Sequence, residues 1–220
     1  MRRVRPGIAA VLDAREPYRA YWDRSNADAL RADGPLWVAL GDSTAQGVGA
    51  SRPDRSYVGQ LLDLLHTDDA TWRVVNLSVS GARIADVTRD QVPRVLDLGE
   101  PALVTCAVGV NDVIRPGFSH APHALRVLVA SLPAATVLAT VPQGLLPLRA
   151  QRLNRVIWSE APPAGLRVAD VWARTGLPWR GKFGADTFHP SDAGYADWCA
   201  AFAATLGLDG RPRPTPAPGA

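Results

Sequence analysis

The sequence predicts an α/β protein: a flavodoxin-like three-layer sandwich, with a five-stranded, mainly parallel sheet in the order 2-1-3-4-5 and helices on both faces. Three observations predict it. Short apolar, β-rich runs alternate with segments whose apolar residues recur at helical spacing, as in strands joined by crossover helices. The runs are apolar throughout, as suits strands covered on both faces. Polar, Gly-containing motifs stand at or just after the ends of the first three runs, where an open α/β sheet gathers its chemistry. Periodicity gives the five strands; their order is taken by analogy with flavodoxin-like sheets.

Residues 1–33 are rich in Arg and Asp. Tyr18, Tyr21, Trp22 and Leu30 are expected to form one helical stripe of an N-terminal extension packed on the domain. The domain proper is expected over 34–208. Leu36 to Leu40 gives the first buried strand, ending at Gly41. Residues 55–66 carry Tyr57, Val58, Leu61, Leu62, Leu64 and Leu65 at helical spacing. Trp72 to Leu77 reads as strand two, and 84–98 as an amphipathic helix broken near Pro93. Ala102 to Val108 reads as strand three. A helix follows over Pro122 to Leu132, with proline in its first turn. Thr136 to Val141 is strand four, Leu148 to Glu160 a helix, and Leu166 to Val171 strand five. Ser191 to Leu206 closes the domain, with Tyr195, Trp198, Cys199 and Phe202 as its stripe. The Pro-rich tail, 209–220, is expected to be disordered.

At 220 residues the chain suits one domain with a sizeable core. The net charge of +3, with no stripe of basic residues, argues against nucleic acid. Cys106 and Cys199 fall inside a strand and a helix and read as buried free thiols. The apolar stretch Gly7 to Leu12 is too short for a signal peptide, and no segment is long enough to span a membrane. A cytoplasmic protein of unknown oligomeric state, with no metal and no cofactor, is the expectation. His120 and His123 lack a third ligand and read as a solvated helix start; His66 reads as a helix-end histidine. Gly47-Val48-Gly49 lacks the lysine and the spacing of a phosphate cradle.

Four polar motifs remain, in fixed order: Gly41-Asp42-Ser43, Asn76 with Gly81, Gly109-Val110-Asn111-Asp112, and Asp186-Thr187-Phe188-His189. Ser43 would leave strand one on a tight turn, exposed, near the start of a helical segment. A serine hydroxyl needs a base, and His189 is the best-placed candidate. Asp186 could accept its Nδ1 proton and orient the ring. The amides of Ser43 and Gly81 and the carboxamide of Asn111 could converge on a developing oxyanion. Asp42 and Asp112 read as turn or cap residues, and Asn76 as a tie between strand two and its loop. Trp172, Trp179 and Phe183 could be core or a hydrophobic wall for the substrate, as could Val110.

These four blocks resemble the SGNH hydrolases, the GDSL-type esterase and lipase family, over residues 35 to about 206. The resemblance implies Ser43 as nucleophile, Gly81 and Asn111 as oxyanion donors, and Asp186 and His189 as the rest of a triad. One departure is Thr44, where the family commonly has leucine. The implied activity is hydrolysis of short- to medium-chain carboxylic esters, a small-molecule substrate. A carbohydrate acetylesterase and an acyltransferase remain open within the family. Outside it, the alternatives are a non-catalytic binding module and a flavodoxin-like cofactor protein.

Overall fold

The computed structural model describes residues 6–144 and 146–209. Five strands run in chain order: β1 (Leu36–Gly41), β2 (Arg73–Asn76), β3 (Leu103–Ala107), β4 (Val137–Ala139) and β5 (Arg167–Ala169). They form one sheet ordered β2-β1-β3-β4-β5, and every pairing is parallel. The helices are α1 (Pro6–Arg31), α2 (Ser43–Gln46), α3 (Tyr57–Asp68), α4 (Ile84–Asp86), α5 (Val92–Asp97), α6 (Val110–Ile114), α7 (Ala121–Ser131), α8 (Pro147–Glu160), α9 (Val171–Arg174) and α10 (Asp192–Leu206).

Period-two alternation divides the core into two layers. Val38, Leu40, Val104 and Cys106 face one side, where they meet Val87 and Val95 around α4 and α5, Leu125 and Leu128 of α7, and Leu153 and Ile157 of α8. Trp37, Ala39, Leu103 and Ala107 face the other side, with Tyr57 and Leu61 of α3 and Trp198 and Phe202 of α10. Tyr57 stacks on Phe202 with ring centroids 4.9 Å apart. No helix among the described residues is long and apolar enough to cross a membrane.

One expectation is corrected. In α1 the buried stripe is Tyr18, Trp22 and Ala29, whereas Leu30 is 53% exposed. Asn26 lies on the buried side too, bonded to both backbone groups of Asn76, so the i, i+4 progression carries Leu30 just past the contact face. The amphipathic stretch at 84–98 is irregular near Pro93, as expected: it runs on as one helical segment, and a π-helical turn over Val87–Gln91, ending two residues before the proline, accommodates the missing N–H. The tail beyond Asp209 lies outside the described residues.

Three carboxamides finish the sheet's carboxyl edge. Each takes the N–H and the C=O of one strand-exit residue. Gln91 clamps Gly41, Asn26 clamps Asn76, and Asn154 clamps Val141. Each side chain stands in for a neighbouring strand where the ladder ends. The π turn places Gln91, 2% exposed, at the exit of β1.

Candidate active site

The first motif forms its turn for steric reasons. Gly41 has φ +150°, and a Cβ there would lie 2.3 Å from the Ala107 carbonyl of β3. Asp42 then caps α2: its Oδ1 accepts from the Thr44 amide at 2.9 Å and the Thr44 hydroxyl at 2.8 Å. Thr44, the departure from the family's usual residue, thus bonds the cap as well as facing the adjacent cavity. Ser43 is the first residue of α2. It is only 5% exposed, which corrects the exposed turn serine expected from sequence.

The covering segment is the last motif. Asp186 Oδ1 accepts from the amides of Phe188 (3.0 Å) and His189 (2.9 Å), and Thr187, which links Asp186 to Phe188, has φ +57°. Asp186 Oδ2 lies 2.6 Å from His189 Nδ1, and Ser43 Oγ lies 2.9 Å from His189 Nε2. Burial pulls the Asp186 carboxyl upward. Bonds from the His189 ring and from the Phe188 and His189 amides outweigh it, leaving its pKa below the ordinary aspartate value. An ionised Asp186 requires the proton on Nδ1, so Nε2 is left to accept from the serine hydroxyl.

A residue that the sequence offered only within a rejected phosphate cradle makes this approach possible. Gly49 has φ +98°, and a Cβ on it would stand 2.6 Å from His189 Cβ and from the Pro190 carbonyl. The Gly47-Val48-Gly49 triplet was visible, but only the distant fold shows what passes over it. Gly47 ends α2 in the left-handed conformation.

Asn111 comes from α6, just after β3, and is buried. Its Nδ2 donates to Asp42 Oδ2 and to the Ala82 carbonyl, both at 3.1 Å. Residues 42, 82 and 111 therefore meet, which brings Gly81 close to Ser43. Gly81 has φ +85°, and its carbonyl accepts from Arg115 at 3.0 Å. Among the described residues no protein acceptor takes the amide of Ser43 or of Gly81. Burial pushes the Asp42 carboxyl up, against the opposing bonds from Thr44 and Asn111.

Asp112 and Asn76 tie backbone segments together. Asp112 Oδ2 accepts from the Ile84 amide and so caps α4 across 28 residues. Asn76 donates to the Ala45 carbonyl and accepts from the Ser78 amide, tying β2 to α2. Beside the serine–histidine pair lies a cavity of about 350 Å³ whose wall includes Val110, Val113, Val141, Trp179, Phe183 and His189. Trp179 and Phe183 stack with centroids 5.4 Å apart. Trp172 is not in that wall; it packs against the core on the α7–α8 side. His120 and His123 are exposed, and no group of metal-ligating side chains occurs among the described residues.

An open, all-parallel sheet in the order 2-1-3-4-5 with this hydrogen-bonded trio at its carboxyl edge matches the α/β fold of the SGNH hydrolases. The chain belongs to the GDSL-like lipase/acylhydrolase family, whose sequence model matches residues 39–196. That family comprises hydrolases of carboxylic esters. Among solved structures the chain is similar to LAE5, an α/β hydrolase enzyme from the metagenome of Lake Arreo, Spain, with TM-score 0.65 and 20% identity over 82% of this chain and 98% of that one. It is similar to a catalytic variant of Axe2, an acetylxylan esterase from Geobacillus stearothermophilus, with TM-score 0.64 and 23% identity over 80% and 95%. TesA gives TM-score 0.65 and 23% identity over 79% and 99%. At these identities the likeness is one of fold. No curated protein matches the chain significantly.

Proposed function

We propose that the protein is a serine esterase that hydrolyses short- to medium-chain carboxylic esters through an acyl-enzyme on Ser43. One observation carries the reading. Residues 146 positions apart meet at 2.9 Å, and the histidine is held on its far side by a carboxylate at 2.6 Å. His189 Nε2 takes the hydroxyl proton as Ser43 Oγ attacks the ester carbonyl, and returns it to the leaving alcohol. Asp186 keeps the ring in the tautomer that accepts from serine and stabilises the imidazolium that forms. Water then repeats the sequence on the acyl-enzyme.

The tetrahedral oxyanion is met by the amides of Ser43 and Gly81 and by Asn111 Nδ2. Asn111 shares or exchanges its bond to the Ala82 carbonyl as the negative charge develops. The apolar cavity holds the acyl chain against Val110, Trp179 and Phe183. Its volume of about 350 Å³ lies near the lower end for small-molecule sites, which favours short and medium chains.

The test uses p-nitrophenyl acetate and butyrate with a fluorophosphonate probe. Wild type turns over both esters and is labelled on Ser43. Ser43→Ala and His189→Ala each lose at least roughly 10³-fold in kcat/KM, because members of such a trio act as a unit. Equal rates for wild type and Ser43→Ala would end the reading. An unlabelled wild type would favour a binding module instead.

A further inference from the structure

Arg115 stands at the site without a carboxylate partner among the described residues. It follows α6 and is half-buried, and its Nη1 donates to the Gly81 carbonyl at 3.0 Å. Its Nη2 lies 3.2 Å from where a Cβ on Gly81 would stand, so the guanidinium covers that residue's open side. Arg19, Arg31, Arg52, Arg89 and Arg126 each hold an acidic partner. Arg115 holds none among the described residues, as is true also of Arg55, Arg73 and Arg94, but of these it alone bonds the Gly81 carbonyl. A guanidinium has five N–H donors, and a single carbonyl leaves most of them unassigned.

Two more arginines flank the same segment. Arg149 donates to the Val113 carbonyl at 2.9 Å, and its Cζ lies 5.1 Å from the Phe118 ring centroid; it too lacks a carboxylate among the described residues. Arg83 donates to the Pro116 carbonyl at 3.1 Å but lies within the field of Asp112. Positive charge therefore runs along 113–118, from Arg149 at Val113, which also lines the apolar cavity, to Arg115 at Gly81. Neither Gly81 nor Arg115 belongs to the wall of the apolar cavity. An ester seated at Ser43 meets an apolar wall with one half and a cationic rim with the other.

We propose that Arg115, supported by Arg149, binds an anionic group on the alcohol half of the substrate, a carboxylate or phosphate, while the cavity takes the acyl half. Planar guanidinium donors match such oxygens in pairs, and uncompensated positive charge at a cleft raises the local concentration of anionic ligands. The proposal rests on the esterase reading and selects its substrate class.

The test compares 4-acetoxybenzoate with 4-acetoxybenzamide, which differ by one charge on the leaving group. Rates are corrected for the hydroxide-catalysed reactivity of each ester. Wild type prefers the anion roughly tenfold in kcat/KM, mainly through KM, the scale of one charge-assisted contact in a half-exposed site. Arg115→Gln removes the preference, and Arg115→Lys keeps part of it. In wild type the preference shrinks as sodium chloride rises to roughly 0.5 M, because salt screens such contacts. This salt arm stands even if Arg115→Gln folds poorly. A wild type indifferent to the charge, or an Arg115→Gln variant that keeps the preference, overturns the proposal. Uncharged p-nitrophenyl butyrate separates the two readings. Activity there with no charge preference sinks only this proposal, while silence on every ester sinks both.

Discussion

At the scale of single residues, the site depends on what is missing at position 49 as much as on what is present at 43 and 189. Gly49→Ala places a methyl group 2.6 Å from His189 Cβ and from the Pro190 carbonyl, at a φ of +98° that disfavours alanine. The segment carrying His189 must shift, and a misplacement of about 1 Å costs roughly 10²-fold in rate. The expected variant keeps its far-UV circular dichroism but loses esterase kcat; unchanged kcat would show that the segment yields without consequence. Asp186 makes a second prediction. Its folded pKa is depressed, so the stability it adds is fully present above its unfolded value of about 3.9 and is lost as pH falls through the folded value. The stability gap between wild type and Asp186→Asn, measured by urea unfolding, should therefore be larger at about pH 6 than at about pH 3. A gap independent of pH would remove the ionised carboxylate from the account. Asn111 is the third case. Asn111→Ala removes a donor already bonded to Asp42 and should lower kcat by roughly 10²–10³-fold if the same donor serves the oxyanion.

At the scale of elements, the strands were readable because a run such as Leu36 to Leu40 is apolar on both faces and its residues divide between the two cores by simple alternation. The cap of α2 was readable too, since Asp42 is a short polar side chain just before that helix. The segment 84–98 was readable only in part. Its apolar pattern fits an ordinary helix, and proline is the one visible breaker. The π turn at Val87–Gln91 serves a backbone group 50 residues away, which local pattern cannot reveal. That remote contact is testable. Gln91→Leu preserves the side chain's approximate volume but leaves the Gly41 amide without its buried partner. An orphaned donor costs about 1–3 kcal/mol, to be read from the urea midpoint. An unchanged midpoint would mean that the carboxamide clamp contributes nothing to the exit of β1. The site itself followed the same divide. Ser43, Asp186 and His189 announced themselves by motif, whereas Gly49 and Gln91 matter only through residues far along the chain.

At the scale of the whole molecule, one sheet separates two cores, and each core holds one free thiol. Cys106 packs with α7 and α8 on one face, and Cys199 packs with α3 on the other. Burial raises both thiols, Cys199 to about 12 and Cys106 further still, so neither offers a thiolate while the fold is closed. The strands that divide the cores also join them: Trp37 and Val38 are neighbours in β1 yet belong to opposite faces. Opening one face strips support from the other. Both thiols should thus react with an aromatic disulfide reagent only on unfolding, and with the same urea dependence, as in a single cooperative transition. Cys199 lies on the closing helix, directly after the segment that carries His189. If it reacts at lower urea than Cys106, α10 opens as a separate unit, and the serine–histidine contact opens with it. Activity measured along the same titration decides between the two. Under one transition, esterase activity and both thiol signals fall together; under two, activity follows Cys199 and precedes Cys106.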